Sequence, residues 1–383
     1  MKRLALLCFL LSVWMFGHAQ NQPTKKDSIL NRITLSGDFR FRAEHDWNSF
    51  KSNGTFREDR SRLRYRLRVG FAFQINSWSE FGANIRTGLL NKQQDPQLTL
   101  GDGFGDNGIL PVGFYRLYFQ LKKNGNTLIL GKNDFPFEKN NELFWSDHVC
   151  PEGIFLRKKV AFESKYISNV GLGLGHFILK SRSGTFDMDS YLQGVQITTS
   201  FFNKRLNINP AFYYLNKIND IPDGFETFNM NYAIFNLSMN GKLLKSEKLK
   251  WTIDYYKNFK DYSQNEFIPK EMENEVEGYS ASLAFGELKS SKDWMIKLSY
   301  ANMEAYSAIS YFAQNDWARW DYSSSGSPDG RLTNFQGIRF TAGYAIRKNF
   351  ILKLNYFKVE QLKSQGFSKE TGDRIRLDLD IKF

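Results

Sequence analysis

The side chains in this sequence best placed to do chemistry are arginines, and they recur at every second position. Residues 60–73 read RSRLRYRLRVGFAF: Arg60, Arg62, Arg64, Arg66 and Arg68 share one parity, and Leu63, Tyr65, Leu67, Val69, Phe71 and Phe73 the other. Arg40, Arg42, Arg86 and Arg116 sit in similar alternating runs. Guanidinium groups in a row attract and orient anions; they do not make or break bonds. Asp38, Glu44 and Asp59 are close enough in sequence to counter the row. A second set of charges lies in DFPFEKNNELFWSDHVCPE, residues 134–152, where Glu138, Glu142 and Asp147 join Asp134 and Glu152 against Lys139.

Covalent chemistry is poorly supplied. Ser146-Asp147-His148 holds the residue types of a hydrolytic triad, but three sequence neighbours do not make a nucleophile, a base and an orienter. Asp102-Gly103-Phe104-Gly105-Asp106-Asn107-Gly108 offers carboxylates and carbonyls to calcium, yet reads first as a glycine-rich turn. Cys150 reads as a covered loop residue. These residues give no catalytic set, no metal site and no cofactor, so the chain is not expected to be an enzyme.

The elements that must position the arginines are strands. Successive strand side chains point to opposite faces, so residues 60–73 carry a guanidinium face and a hydrocarbon face, whereas a helix would scatter both sets. Similar alternation bounded by turn residues gives sixteen segments: 33–46, 60–74, 78–90, 111–122, 126–133, 153–164, 169–180, 189–202, 205–217, 229–240, 248–261, 275–286, 293–305, 332–346, 349–361 and 371–383. Their connections alternate short and long. No repeat of fixed short period suggests a β-helix.

Lys2 and Arg3 precede the apolar run 4–16 and Gly17-His18-Ala19, which describes a secretory signal peptide cleaved after Ala19. Without it the 52 Lys and Arg fall to 50 against 40 Asp and Glu, still a basic chain. Cys8 lies too early for a lipoprotein cysteine, and the one remaining cysteine allows no internal disulfide. Beyond the signal no stretch could form a spanning helix, yet aromatic residues make up 16% of the chain. Exported, aromatic-rich and two-faced strands suit a closed barrel in lipid, the other structure that satisfies every backbone group there. An arginine on the lipid face would cost roughly 2–4 kcal/mol near the midplane, so the arginines belong inside.

The expected fold is all-β: a transmembrane antiparallel β-barrel of about sixteen strands with long outer loops and short periplasmic turns. Residues 1–19 are the signal peptide, 20–32 a polar periplasmic lead-in, and 33–383 the barrel.

Several runs resemble a family. They are Gly37-Asp38-Phe39-Arg40-Phe41-Arg42, Asp59-Arg60-Ser61-Arg62, and Gly82-Ala83-Asn84-Ile85-Arg86-Thr87-Gly88. Further on come Asp95-Pro96 with Leu98-Thr99-Leu100-Gly101, Leu130-Gly131-Lys132 before Phe135-Pro136-Phe137, and Pro151-Glu152-Gly153. Together, concentrated in residues 33–160, they resemble the porin-like outer-membrane barrels of Gram-negative bacteria common in the Bacteroidota. Cys150 departs from the polar residue expected there.

The resemblance implies a channel in the bacterial outer membrane, surrounded by its lipid and lipopolysaccharide and passing small hydrophilic solutes. It also implies that the terminal Phe383 is read by the barrel-assembly machinery. In sixteen-stranded general porins the third outer loop folds into the lumen opposite an arginine cluster. By that likeness Glu138, Glu142 and Asp147 would face Arg40, Arg42, Arg60, Arg62, Arg64, Arg66, Arg68, Arg86 and Arg116 across a constriction. The expected function is passive diffusion with an anion preference. Nucleic acid is not an expected partner, and a homotrimer is one assembly the resemblance allows. A substrate-specific channel for sugars or organic acids would instead show an aromatic track, for which Tyr118, Tyr213, Tyr256 and Trp145 are available. An outer-membrane enzyme would need a triad within hydrogen-bond reach.

Overall fold

The structure, a computed structural model, describes residues 29–90, 93–101, 108–182, 184–219, 228–243, 248–313, 316–317, 333–364 and 366–383. The signal peptide, most of the lead-in and residues 102–107 of the glycine-rich turn lie outside the described residues. Two units are distinct, residues 1–33 and 34–383. The described part of the first is a 3-10 turn, Ile29–Arg32, followed by Ile33.

Sixteen long strands follow. β1 is Ile33–Trp47, β2 Arg60–Asn76, β3 Ser79–Thr87, β4 Val112–Lys123, β5 Asn126–Lys132, β6 Glu152–Ala161, β7 Ile167–Lys180 and β8 Ser190–Phe201. β9 is Leu206–Asn219, β10 Asn229–Lys242, β11 Leu249–Asn258, β12 Glu277–Gly286, β13 Trp294–Met303, β14 Phe335–Arg347, β15 Phe350–Gln361 and β16 Thr371–Lys382. Each pairs antiparallel with its sequence neighbours, and β1 pairs with β16, which closes the sheet into a barrel without free edges. A two-residue strand, Leu98–Thr99, pairs with Tyr65 and Arg64 where β2 outruns the short β3.

The connections fall into two sets. Short ones, such as 124–125, 202–205 and 348–349, share one end; long ones, such as 133–151 and 304–334, share the other. The tightest shows the local chemistry. Asn124 (φ 50°) and Gly125 (φ 75°) both take the left-handed conformation that a two-residue hairpin turn demands.

Alternation sorts side chains as the strand period requires. Leu63 and Leu67 on β2, Ile154 and Leu156 on β6, Leu283 on β12 and Leu298 on β13 are exposed on the outside. A contiguous apolar surface of this size on a protein marks a face that meets lipid or another apolar partner. Aromatic residues bound the band at both heights. Tyr279 and Phe285 on β12 lie six residues apart, as do Trp294 and Tyr300 on β13 and Phe350 and Tyr356 on β15. At a strand rise of roughly 3.3 Å per residue this is roughly 20 Å along the strand. Cross-strand pairs join them, Phe285 to Trp294 at 5.4 Å and Tyr279 to Tyr300 at 6.0 Å. Paired aromatic girdles around an apolar band are the surface a bilayer requires.

Candidate functional site

The inward face begins at the seam. In the β1–β16 register, Asp38 opposes Lys382, Arg40 opposes Asp380, Arg42 opposes Asp378, Glu44 opposes Arg376, and Asp46 opposes Arg374. Three of these pairs are forked. Arg40 donates to both carboxylate oxygens of Asp380 at 2.5 and 3.1 Å, and Arg42 to Asp378 at 2.5 and 3.1 Å. Arg374 does the same to Asp46 at 2.6 and 3.4 Å. A one-residue slip would turn the charges outward, and a two-residue slip either way would set like charges opposite one another. The charges therefore specify the closure register.

The β2 ladder is countered from the same side. Arg60 binds Asp46 at 3.1 Å, Arg62 binds Glu44, and Arg66 and Arg68 bind the two oxygens of Asp38 at 2.5 and 2.6 Å. Arg64 takes Asp95 at 2.6 Å and the Gln97 carbonyl at 2.9 Å, both from the 88–111 connection. Asp38 and Glu44 thus do what the sequence suggested. Around the seam and ladder, ten cations (Arg40, Arg42, Arg60, Arg62, Arg64, Arg66, Arg68, Lys353, Arg374 and Arg376) meet seven carboxylates (Asp38, Glu44, Asp46, Asp95, Asp316, Asp378 and Asp380), leaving a surplus of three positive charges. Arg86 and Arg116 flank the Tyr115 ring at 5.6 and 5.2 Å. A register shift opposite Asn84 and Ile85 places Tyr115 beside Arg116 on the bulged strand.

The loop 133–151 packs against inward-facing side chains of β6 to β9 and β11. Phe137 meets Phe155, Phe177 and Tyr213 at 5.2, 6.4 and 5.2 Å. It occupies a notch made by two paired glycines, where a Cβ on Gly194 would lie 2.6 Å from its ring and one on Gly175 3.1 Å. Phe144 stacks on Tyr213 and Tyr256 at 4.9 and 5.7 Å. Polar clasps set the height of the loop. Gln196 accepts from the Glu138 amide and donates to the Glu138 carbonyl, both at 2.8 Å, while Asn140 and Asn141 donate to Asp254 at 3.1 and 2.7 Å. The 304–334 connection joins it: the Ser146 amide donates to the Phe312 carbonyl at 2.7 Å, and Trp145 packs on Phe312 at 4.8 Å. The 88–111 connection joins both, Gln93 accepting from the Cys150 amide at 3.0 Å and Gln94 donating to the Ala313 carbonyl. The apolar content of Tyr306, Ile309, Tyr311, Phe312 and Trp317 was the available signal for the inward packing of 304–334.

Of the loop acids, Asp134 binds Arg116, but Glu138, Glu142 and Asp147 do not pair with the β2 ladder. Glu138 lies 3.4 Å from Arg157, and Asp147 binds Lys139. Glu142 and Asp147 instead line a cavity of about 280 Å³ whose other walls include Lys297 on β13, Arg339 on β14, Asp316 and the hydroxyls of Thr252, Ser282 and Ser299. β1 already supplies the ladder with Asp38, Glu44 and Asp46, and the 88–111 connection supplies Asp95, so Glu138, Glu142 and Asp147 face other cations. Among the described residues Lys297 has no hydrogen bond or ion pair, and Arg339 hydrogen-bonds Asn355 at 2.7 Å without a carboxylate. Glu142 accepts from the Ser146 hydroxyl at 3.4 Å and the Asp147 amide at 3.2 Å. Burial, then the nearby Asp147 and Asp316 charges, raise its pKa above the ordinary value. Burial would raise Asp316 too, but the Arg376 guanidinium that binds it holds its carboxyl well below the usual range.

The loop turns its other end to the ladder. Burial, and then Arg66, Arg68, Arg86 and Arg40, push the His148 imidazole well down, so it stays neutral there. Ser146, Asp147 and His148 do not form a triad: the hydroxyl donates to Glu142, the carboxylate takes Lys139, and His148 offers its backbone amide to Ser146 at 3.2 Å. Burial and then Asp134 push the Cys150 thiol up to about 12, which keeps it protonated. Tyr213 and Tyr256 are buried under the loop, Trp145 is buried within it, and Tyr118 donates to Glu80 at 3.0 Å, so these four form no continuous track along the lumen.

No protein-family model matches the sequence, and no curated protein matches it. Solved structures do. The chain is similar over 91% of its length to the whole of the Rhodopseudomonas blastica porin, at 12% identity and a TM-score of 0.50. The chain has the sixteen-stranded porin fold. Over 92% of its length it is similar to 97% of Salmonella typhi OmpF in a complex with daunomycin, at 12% identity and a TM-score of 0.54. Over 93% it is similar to 95% of Pseudomonas putida OprB, at 10% identity and a TM-score of 0.57. At these identities the likeness is one of fold.

Proposed function

We propose that this chain is a porin of the bacterial outer membrane, a passive diffusion channel for small hydrophilic solutes that favours anions. The observation that carries the reading is a closed barrel, apolar outside and charged inside, narrowed by a firmly seated loop. Such a wall suits lipid on one side and water on the other. The anion preference rests on the positive surplus along the seam and on Lys297 and Arg339, which no carboxylate pairs directly among the described residues. Fixed cations at a constriction raise the local anion concentration. Burial of the lumenal aromatics under the loop supports general diffusion over a sugar-specific track. In the same reading Phe383, whose amide and carbonyl pair with Gly37 at the seam, presents the terminal aromatic to the assembly machinery.

The test is reconstitution. Stepwise conductance in planar bilayers, with liposome swelling that is faster for small neutral solutes than for large ones, is the expected result. Inserted barrels that pass neither ions nor small solutes would overturn the proposal.

A further inference from the structure

The positive charge of this chain is gathered at one end of the barrel. In and beside the seven short connections and at the C-terminus (75–81, 121–127, 158–168, 201–207, 241–250, 286–294, 346–351 and 381–383), the described residues include fifteen Lys and Arg against four Asp and Glu. That excess of eleven compares with an excess of twelve for the entire chain, so everything else is nearly balanced. Lys122, Lys123, Lys158, Lys159, Arg347 and Lys348 are exposed, and among the described residues none has a carboxylate partner. The cations occur on six of the seven short turns and at the C-terminus, the exception being 75–81 with Glu80 alone, so they form a ring and not a patch. Each group adjoins an aromatic of the girdle at that end: Lys123 stands over Trp78 at 5.9 Å, Lys165 precedes Tyr166, Lys250 precedes Trp251, and Lys292 is two residues from Trp294.

We infer that this basic ring binds the phosphate headgroups of anionic phospholipids in the leaflet around the short-turn end. The inference rests on the membrane reading above. A ring of cations set just beyond an aromatic girdle fits headgroups, because indole and phenol rings settle at headgroup level and lysines reach the phosphates beside them. A protein partner docking on one side would need its cations on one side.

The experiment inserts the full barrel into vesicles of neutral phosphatidylcholine and of an equimolar mixture with phosphatidylglycerol, then identifies the lipid retained on gentle detergent extraction. Phosphatidylglycerol should be enriched about threefold or more at low salt, and the enrichment should fade at high salt as charges are screened. A K122Q/K123Q/K158Q/K159Q/R347Q/K348Q variant should lose most of it. A control carrying K51Q, K180Q, K257Q, K260Q, K358Q and K363Q at the long-loop end should keep it. Insertion with equal retention of both lipids, or equal loss in the two variants, overturns the ring and leaves the membrane reading standing. Competition by inorganic phosphate at constant ionic strength would assign the ring to free anions and also overturn it. Failure to insert into either vesicle would strike the membrane reading itself. If the six-fold variant does not fold, the salt titration on the unmodified barrel decides.

Discussion

Arg42 and Asp378 meet across the seam with side chains 5% and 4% exposed. A buried ion pair of this kind adds little over a well-packed apolar pair, but removing one partner strands the other charge and costs roughly 3–5 kcal/mol. Arg42→Asp and Asp378→Arg should therefore each lower the temperature at which the barrel loses its folded mobility on a gel. The double exchange should recover most of the loss, and an additive result would deny the coupling. Glu142 makes a prediction about pH. Its pKa is raised in the fold, so it takes up a proton at a higher pH than an ordinary glutamate. The sign follows: proton binding favours the fold, and that contribution fades as pH rises through the folded pKa. As pH falls from neutral toward the ordinary value of 4.5 the cavity loses a negative charge, so anion preference should rise. Glu142→Gln should hold the raised preference throughout; an unchanged pH profile in that variant would remove Glu142 from the pathway.

At the scale of elements, the inward loop stays in place because aromatic faces and amide clasps hold it, so loosening either should widen the pore. Phe144→Ala leaves a cavity between Tyr213 and Tyr256 and costs roughly 3–5 kcal/mol of loop packing. Larger and noisier single-channel conductance is the expected outcome, and a steady, unaltered conductance would mean that the loop does not set the bore. Gly194→Val should act similarly, since its side chain would enter the space of Phe137. All sixteen strands were legible in the sequence, since period-2 alternation is local and each turn announces itself, as Asn124-Gly125 does. The destination of the loop charges was not legible. Asp38, Glu44 and the arginines they bind lie close in sequence, but Asp378 and Asp380 lie more than three hundred residues from Arg42 and Arg40. Only closure reveals that Arg40 and Arg42 are already countered by β16 and that Glu142 faces Lys297 and Arg339. The inward packing of 304–334 was not legible for a similar reason: its aromatics gain meaning only where Phe312 meets Trp145.

The whole molecule is a wall with three electrical regions: a seam of matched pairs with a small positive surplus, a cavity under the inward loop where Lys297 and Arg339 face Glu142 beside the paired Asp147 and Asp316, and a basic ring around one rim. Each follows from where an alternating sequence places its odd and even residues once the barrel closes. The central claim is that the fixed charges of the lumen select anions. Reversal potentials in a planar bilayer under a potassium chloride gradient test it most directly. The account predicts a potential of the sign set by chloride, reduced in a Lys297→Gln, Arg339→Gln variant of unchanged fold. A potential set by potassium, or one indifferent to those two substitutions, would contradict it.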